Sequence, residues 1–183
     1  QGITTTGATG LVRVTGARSY NTGADYIYNG NSNQSTGNGL PATVNNLTID
    51  NEGTLGNQNV TIFQNTSITS NLSVFQGGLD LGIFSASRGA VGGVLTVADG
   101  AYLGIGGSNS LPANYASHVI GCNSTIEYYG TYQTVANIIS PSTYGFLVLS
   151  GTGIKLFENL AKFLTSLEDQ EDSDSAINLG NIM

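Results

Sequence analysis

The chain has 183 residues, of which 9% are charged and 39% hydrophobic, with 26 glycines, one cysteine and a net charge of -7. Ordinary globular domains carry about 25% charged residues and disordered chains pair low hydrophobicity with high charge, so the composition predicts an ordered, turn-rich β chain covered by Asn, Thr, Ser, Gly and Gln. The lysines and arginines are Arg13, Arg18, Arg88, Lys155 and Lys162, too few for a phosphate-binding patch, which argues against nucleic acid and anionic membrane surfaces as partners.

No apolar run approaches the ~20 residues of a membrane span, and a lone cysteine permits no intrachain disulfide. Cys122, beside Val119 and Ile120, reads as a small core filler. The chain starts at Gln1 without a signal peptide, as expected of a trimmed exported product or a piece of something larger.

In chain order, short β runs begin with Thr43 to Ile49 and Asn59 to Phe63, followed by Ser67-Ile68, Asn71 to Val74 and Leu79-Asp80-Leu81. Gly53, Gly56, Gly77, Gly78 and Gly82 punctuate them. Alternation in Leu47-Thr48-Ile49 and Val60-Thr61-Ile62 puts apolar side chains on one face and Thr on the other. Similar runs recur at Val94 to Val97, Tyr102 to Ile105, Thr125 to Tyr128 and Phe146 to Leu149.

Such spacing fits either a sandwich or a solenoid. Very short strands, abundant Asn at turns and self-similar segments favour an all-β parallel β-helix, or β-solenoid, in which stacked Asn and Thr satisfy their polar groups within ladders. A tandem β-sandwich is the alternative. The self-similarity places Tyr28 and Gly30 one hundred positions before Tyr128 and Gly130. Gln34 answers Gln133, Pro41 answers Pro141, and Leu47-Thr48-Ile49 answers Leu147-Val148-Leu149. The repeat region is therefore drawn over 1–154, with copies near 25–82 and 125–154.

Residues 155–183 depart from this grammar. Leu156, Leu160, Phe163 (or Leu164) and Leu167 fall at helical spacing, which predicts an amphipathic helix capping the open end of the solenoid. The competing reading is a final coil, since Ile177-Asn178-Leu179-Gly180 resembles Leu79-Asp80-Leu81-Gly82. The acidic run Glu168 to Asp174 lacks the order of a calcium-binding loop and reads as a solvated connection.

Gly23 to Gly30, Leu40-Pro41-Ala42-Thr43-Val44-Asn45-Asn46-Leu47-Thr48-Ile49, Ser124 to Thr131 and Leu147 to Gly153 together resemble the repeats of large secreted surface proteins of Bacteroidetes-type bacteria. The resemblance covers roughly residues 10–155. It implies export, often by the type IX route, an extracellular or outer-surface location, and service as adhesin, stalk or filament protomer. It carries over no catalytic residue. Tyr129, where the pattern has Asn, and the tail from Lys155 are departures from it.

No catalytic constellation is legible. Asp25, Asp50, Glu52, Asp80, Asp99 and Glu127 are dispersed along the chain, and the close pair Asp50 and Glu52 sits in a turn-like stretch. His118, the sole histidine, has no second ligand to head a zinc site and reads as a satisfied or strand-edge residue. No cofactor or metal is expected.

Tyr28, Tyr128, Tyr129 and Tyr132 are the candidate surface contacts, because Tyr beside Asn and Thr can stack on sugar faces or pack at protein contacts. A Tyr ladder along the solenoid is the structural alternative. Asp174-Ser175-Ala176 matches a short bacterial O-glycosylation signal, making Ser175 a candidate modification site. The expected function is a non-catalytic structural or adhesive module that associates with itself, with neighbouring repeats or with glycans. The alternative is a polysaccharide-binding or polysaccharide-degrading β-helix.

Overall fold

Apolar residues at every second position need a common interior, and short strands obtain one by stacking coil upon coil. The computed structural model describes residues 2–7, 12, 14–139 and 141–159, with the backbone of 177–178. Numbered along the chain, β1 (Tyr26–Tyr28), β4 (Leu47–Asp50), β7 (Leu72–Gln76), β9 (Gly92–Val97) and β11 (Tyr115–Ile120) form one sheet, here called sheet A. Sheet B is longer. It contains β2 (Gln34–Ser35), β5 (Asn59–Thr61), β8 (Gly78–Asp80), β10 (Tyr102–Ile105), β12 (Thr125–Tyr128), β14 (Phe146–Leu149) and β16 (Ile177–Asn178). Two small pairs complete the circuit: β3 (Thr43–Val44) with β6 (Ser67–Ile68), and β13 (Gln133–Val135) with β15 (Lys155–Phe157).

Every strand pairing is parallel, which a sandwich of antiparallel hairpins does not give. The chain crosses sheet A, then sheet B, returns along a third side and begins again, making a β-solenoid of about six coils. Coil length varies from nineteen residues, between paired Asn59 and Gly78, to thirty, between Leu147 and Ile177.

Like stacks on like inside. Leu47, Leu72 and Leu95 lie in register and fully buried along sheet A, as do Val60, Leu79, Leu103, Ile126 and Leu147 along sheet B. Burying each such side chain contributes about 1.5–3 kcal/mol. The polar groups at the corners form the other ladder. Asp25 Oδ1 accepts from Asn46 Nδ2 at 2.7 Å, Asn46 Oδ1 accepts from the backbone of Asn71 at 2.9 Å, and Asn71 Oδ1 accepts from the backbone of Val94 at 2.9 Å. These bonds hold the Asp25 carboxyl below its ordinary pKa, the Asn46 amide contributing most. Among the described residues, every buried side-chain nitrogen and oxygen has a partner, as the price of burying an unmet polar group requires.

Where the Leu47 row reaches β11 it meets His118 instead of another Leu, paired with Leu95 and 7% exposed. Its Nδ1 accepts from the backbone of Ile139 at 3.0 Å, and its carbonyl accepts from Ser142 Oγ at 2.7 Å, so it seats the segment that covers the end of sheet A. Burial pushes the imidazole below its ordinary value, so the unfolded chain binds the proton more readily than the folded one. The stabilisation is fully present above the unfolded value of about 6.5 and is lost as pH falls towards the lower folded value. Thermal melts between pH 7 and pH 5 should therefore show a falling midpoint. In His118→Leu, which leaves no other histidine to titrate, that slope should vanish while the midpoint at pH 7 is already lower.

Three expectations need correction. Lys155–Phe157, where the helical spacing begins, is strand β15, paired with β13 from Gln133–Lys155 to Val135–Phe157. Leu156 points outward at 62% exposure, so it is no part of an apolar helical stripe. The described residues contain no helix. Leu160, Phe163, Leu164, Leu167 and the acidic run lie outside them, while β16 continues sheet B by pairing Ile177 with Leu147.

The recurrence at one hundred positions is not the coil repeat either. Tyr28 belongs to sheet A and Tyr128 to sheet B. What recurs is a corner. The backbone of Gly30 donates to Gln34 Oε1 at 3.2 Å and that of Gly130 to Gln133 Oε1 at 2.7 Å. Eight residues beyond each tyrosine the chain meets its hydroxyl: Tyr28 Oη donates to the carbonyl of Thr36 at 3.0 Å, and the Ala136 N–H donates to Tyr128 Oη at 3.3 Å. Nor do tyrosines stack as a ladder, since Tyr28 lies on Ile49 and Tyr128 between Ile105 and Leu149.

Candidate functional site

The strand alternation that buries Leu79, Leu103 and Ile126 turns the intervening residues of sheet B outward. The register sorts these into three rows running along the stack. The first holds Asn59, Gly78, Tyr102, Thr125 and Phe146. The second holds Thr61, Asp80, Gly104, Glu127 and Val148. In the third, Gly106 receives Tyr129 from the next coil and Ser150 from the one after, as the backbone bonds from Tyr129 to Ile105 and from Ser150 to Tyr128 require.

The glycines decide the shape of this face. A Cβ on Gly104 would lie 2.6 Å from Tyr102 Oη and 2.9 Å from its Cε1, and one on Gly106 would lie 2.7 Å from Tyr129 Cε2. The two rings therefore occupy the space where side chains of Gly104 and Gly106 would stand, lying down on the sheet instead of rising from it. Gly104 and Gly106 are buried beneath them although both belong to outward rows.

Carboxylates fix the far end of each ring. Tyr102 Oη donates to Glu127 Oε2 at 2.8 Å, and Tyr129 Oη donates to Asp80 Oδ1. Asp80 Oδ1 also accepts from the backbone of Gly82 at 2.9 Å, and Ser150 Oγ donates to Glu127 Oε1. Burial, with the neighbouring carboxylate second, raises both phenol pKa values well above the ordinary range, so the two hydroxyls remain donors throughout the physiological range. Asp80 and Glu127, far apart in the chain, are thus separated by the single residue Gly104 across the sheet. With strands about 4.8 Å apart, their Cα atoms stand about 10 Å from each other.

The four tyrosines singled out by the sequence scatter. Tyr28 and Tyr128 are buried, at 4% and 0% exposure, with their hydroxyls spent on the corners described above, so neither offers a surface contact. Tyr128 Oη also lies 3.0 Å from Tyr144 Oη. Tyr129 belongs to the sheet B face, and Tyr132 is exposed just before β13, around the corner on the third side. Ser175 lies outside the described residues. Tyr102 was invisible as a contact because nothing local distinguishes a flat ring from a standing one. The signal available was Tyr-x-Gly, with Gly104 at the position that shares a face with Tyr102.

Asp50 ends β4 and Glu52 lies in the corner after it, where Asn51 Oδ1 accepts from Gly53 N at 3.0 Å, consistent with a turn. Cys122 corrects another expectation. It is exposed in the corner between β11 and β12, beside Asp99, and not in the core. A maleimide should therefore label one thiol per chain in the native protein at the rate found in denaturant. Protection until unfolding would contradict this placement.

No family model matches the chain, and no curated protein or solved structure matches it.

Proposed function

We propose that the chain is a non-catalytic structural and adhesive module of an exported cell-surface protein, acting as one stretch of a longer stack. The observation that supports this best is the end of the third side. On β13 and β15 the inward residues Gln133 and Val135 are buried, while Tyr132, Ile154 and Leu156 project outward at 69%, 56% and 62% exposure. The register that pairs Gln133 with Lys155 sets Tyr132 beside Ile154. An apolar row next to a strand whose outer edge is unpaired among the described residues suits contact with a neighbouring coil, and a contact of this heterologous kind propagates instead of closing.

Sedimentation velocity and negative-stain micrographs over a wide concentration range test the reading. Elongated particles that lengthen with concentration, and shorten in Leu156→Ser, would support it. Compact monomers throughout would count against it.

The placement of Asp80 and Glu127 on one face, two strands apart, favours a second reading, a polysaccharide-degrading β-helix, because glycosidases act with two carboxyl groups that flank the scissile bond. Both Glu127 oxygens and Asp80 Oδ1 are already engaged by hydroxyl and backbone donors, which suits carboxylates that hold rings in place better than carboxylates that transfer protons. Release of reducing ends from a polysaccharide panel, abolished in Glu127→Gln, would establish the second reading over the first.

A further inference from the structure

We propose that the outer face of sheet B is a binding subsite for a neutral glycan chain, with Tyr102 and Tyr129 as its stacking platforms. The proposal rests on the adhesive reading above and supplies it with a ligand class. Three features carry it.

First, the rings are preorganised. Each lies over a buried glycine and is tied at its hydroxyl to a carboxylate of another coil. Such a ring presents its outward face with little rotamer freedom left to lose on binding. A core role does not account for the arrangement, since the interior of sheet B is already filled by the Leu79, Leu103 and Ile126 row.

Second, the surroundings suit hydroxyls. Thr61, Thr125 and Ser150 border the rings, and the anchoring carboxylates keep spare lone pairs that can accept from sugar hydroxyls. A pyranose offers an apolar C–H face to a tyrosine and a rim of hydroxyls to such neighbours, the pairing of one apolar and one wet contact for which Tyr is suited.

Third, charge selects among ligands that stack. Bases of a single-stranded nucleic acid also stack on aromatic rings, but no Lys or Arg occurs in the three rows. Asp80 and Glu127 sit at their centre, and the whole chain carries -7. A phosphate backbone or a uronic-acid polymer would bring like charge against this face, whereas an uncharged glycan meets no such penalty.

The experiment is isothermal titration of the full chain with neutral hexasaccharides of β-1,4-glucan, β-1,4-xylan, β-1,4-mannan and β-1,3-glucan, with oligogalacturonate and a dT oligonucleotide as charged probes. At least one neutral hexasaccharide should bind. Tyr102→Ala and Tyr129→Ala should each weaken that binding roughly tenfold or more, the effect of losing about 1.4 kcal/mol. Tyr102→Phe, which keeps the ring and releases it from Glu127, should fall between, and it preserves the test should an alanine variant fail to fold. Phe75→Ala, on the outer face of sheet A, should bind as the parent does.

Binding of none of the neutral probes, preference for oligogalacturonate or dT, or binding indifferent to Tyr102 and Tyr129 would overturn the proposal. Sedimentation of the parent chain beside the titration separates the two readings. A parent chain that assembles but binds no neutral glycan sinks the subsite alone, and one that binds glycan but does not assemble sinks the stacking role alone.

Discussion

Leu103→Ala is expected to lower the free energy of unfolding by about 3 kcal/mol or more, within the range for truncating a buried leucine. Leu103 is fully buried in β10 and stacked in register between Leu79 and Ile126. A globular core can slump into such a hole from several directions. Here the rows above and below are fixed by backbone pairing of β8, β10 and β12, so little can move in to fill it. Urea titration followed by circular dichroism gives the loss directly. The shape of the transition carries further information, because stability in a stack is a sum of nearest-neighbour terms. A weakened middle coil should broaden the curve or split it as the amino-terminal and carboxy-terminal coils separate. Phe75→Ala, at a side chain 49% exposed, should change stability by less than about 0.5 kcal/mol. A Leu103→Ala loss no larger than this control would refute the buried-row account.

Gly93→Ala should be of comparable severity for a different reason. Gly93 has φ +57°, a region that costs an L-residue about 1–2 kcal/mol. A Cβ there would also lie 2.0 Å from the carbonyl oxygen of Ser70 in the preceding coil and 2.8 Å from Arg88 Nη1. The Ser70 oxygen is backbone, and Arg88 Nη1 already donates to it, so neither obstacle is a free side-chain end that can swing aside. Overpacking adds about 1–3 kcal/mol, giving a total near that of Leu103→Ala. Gly56→Ala provides the comparison, since Gly56 also has positive φ (+83°) but open space around its missing Cβ. It should lose the conformational part alone. Equal losses at the two positions would show that the close approach of the coils contributes nothing.

The face each strand residue takes was legible because alternation is local. Leu47, Thr48 and Ile49 are buried, half-buried and buried, as their order implies. Asn ladders were legible as a class, since so many amides in a chain of few charges need one another. Coil length was not legible. Between nineteen and thirty residues per coil, no fixed offset aligns the turns, and the strongest recurrence marked a corner built from Tyr, Gly and Gln. Without the coil length there is no register, and without register Asp80, Gly104 and Glu127 are three unrelated positions. Burial of Tyr28 and Tyr128 was hidden for a related reason: an aromatic beside a glycine turn looks the same whether it faces in or out. At Lys155–Phe157 three residues are too few to separate a period of 2 from one of 3.6.

The corner ladder also gives the stack a direction. Asp25 has acceptors only, so the Asn46 amide must turn its nitrogen back towards it and leave Oδ1 facing the next coil, where Asn71 N–H arrives. Asn71 offers its own oxygen to Val94 in the same sense. The pattern repeats elsewhere: Asn33 receives the N–H of Asn59, Asn65 that of Ser85, Asp99 that of Asn123, and His118 that of Ile139. In each case the waiting acceptor belongs to the earlier coil and the incoming donor to the later one. A chain that emerges amino end first therefore finds these side-chain acceptors already aimed at the coil to come, whereas the N–H groups of Asn33 and Asn137 wait for acceptors that arrive later, Asn57 and Glu158.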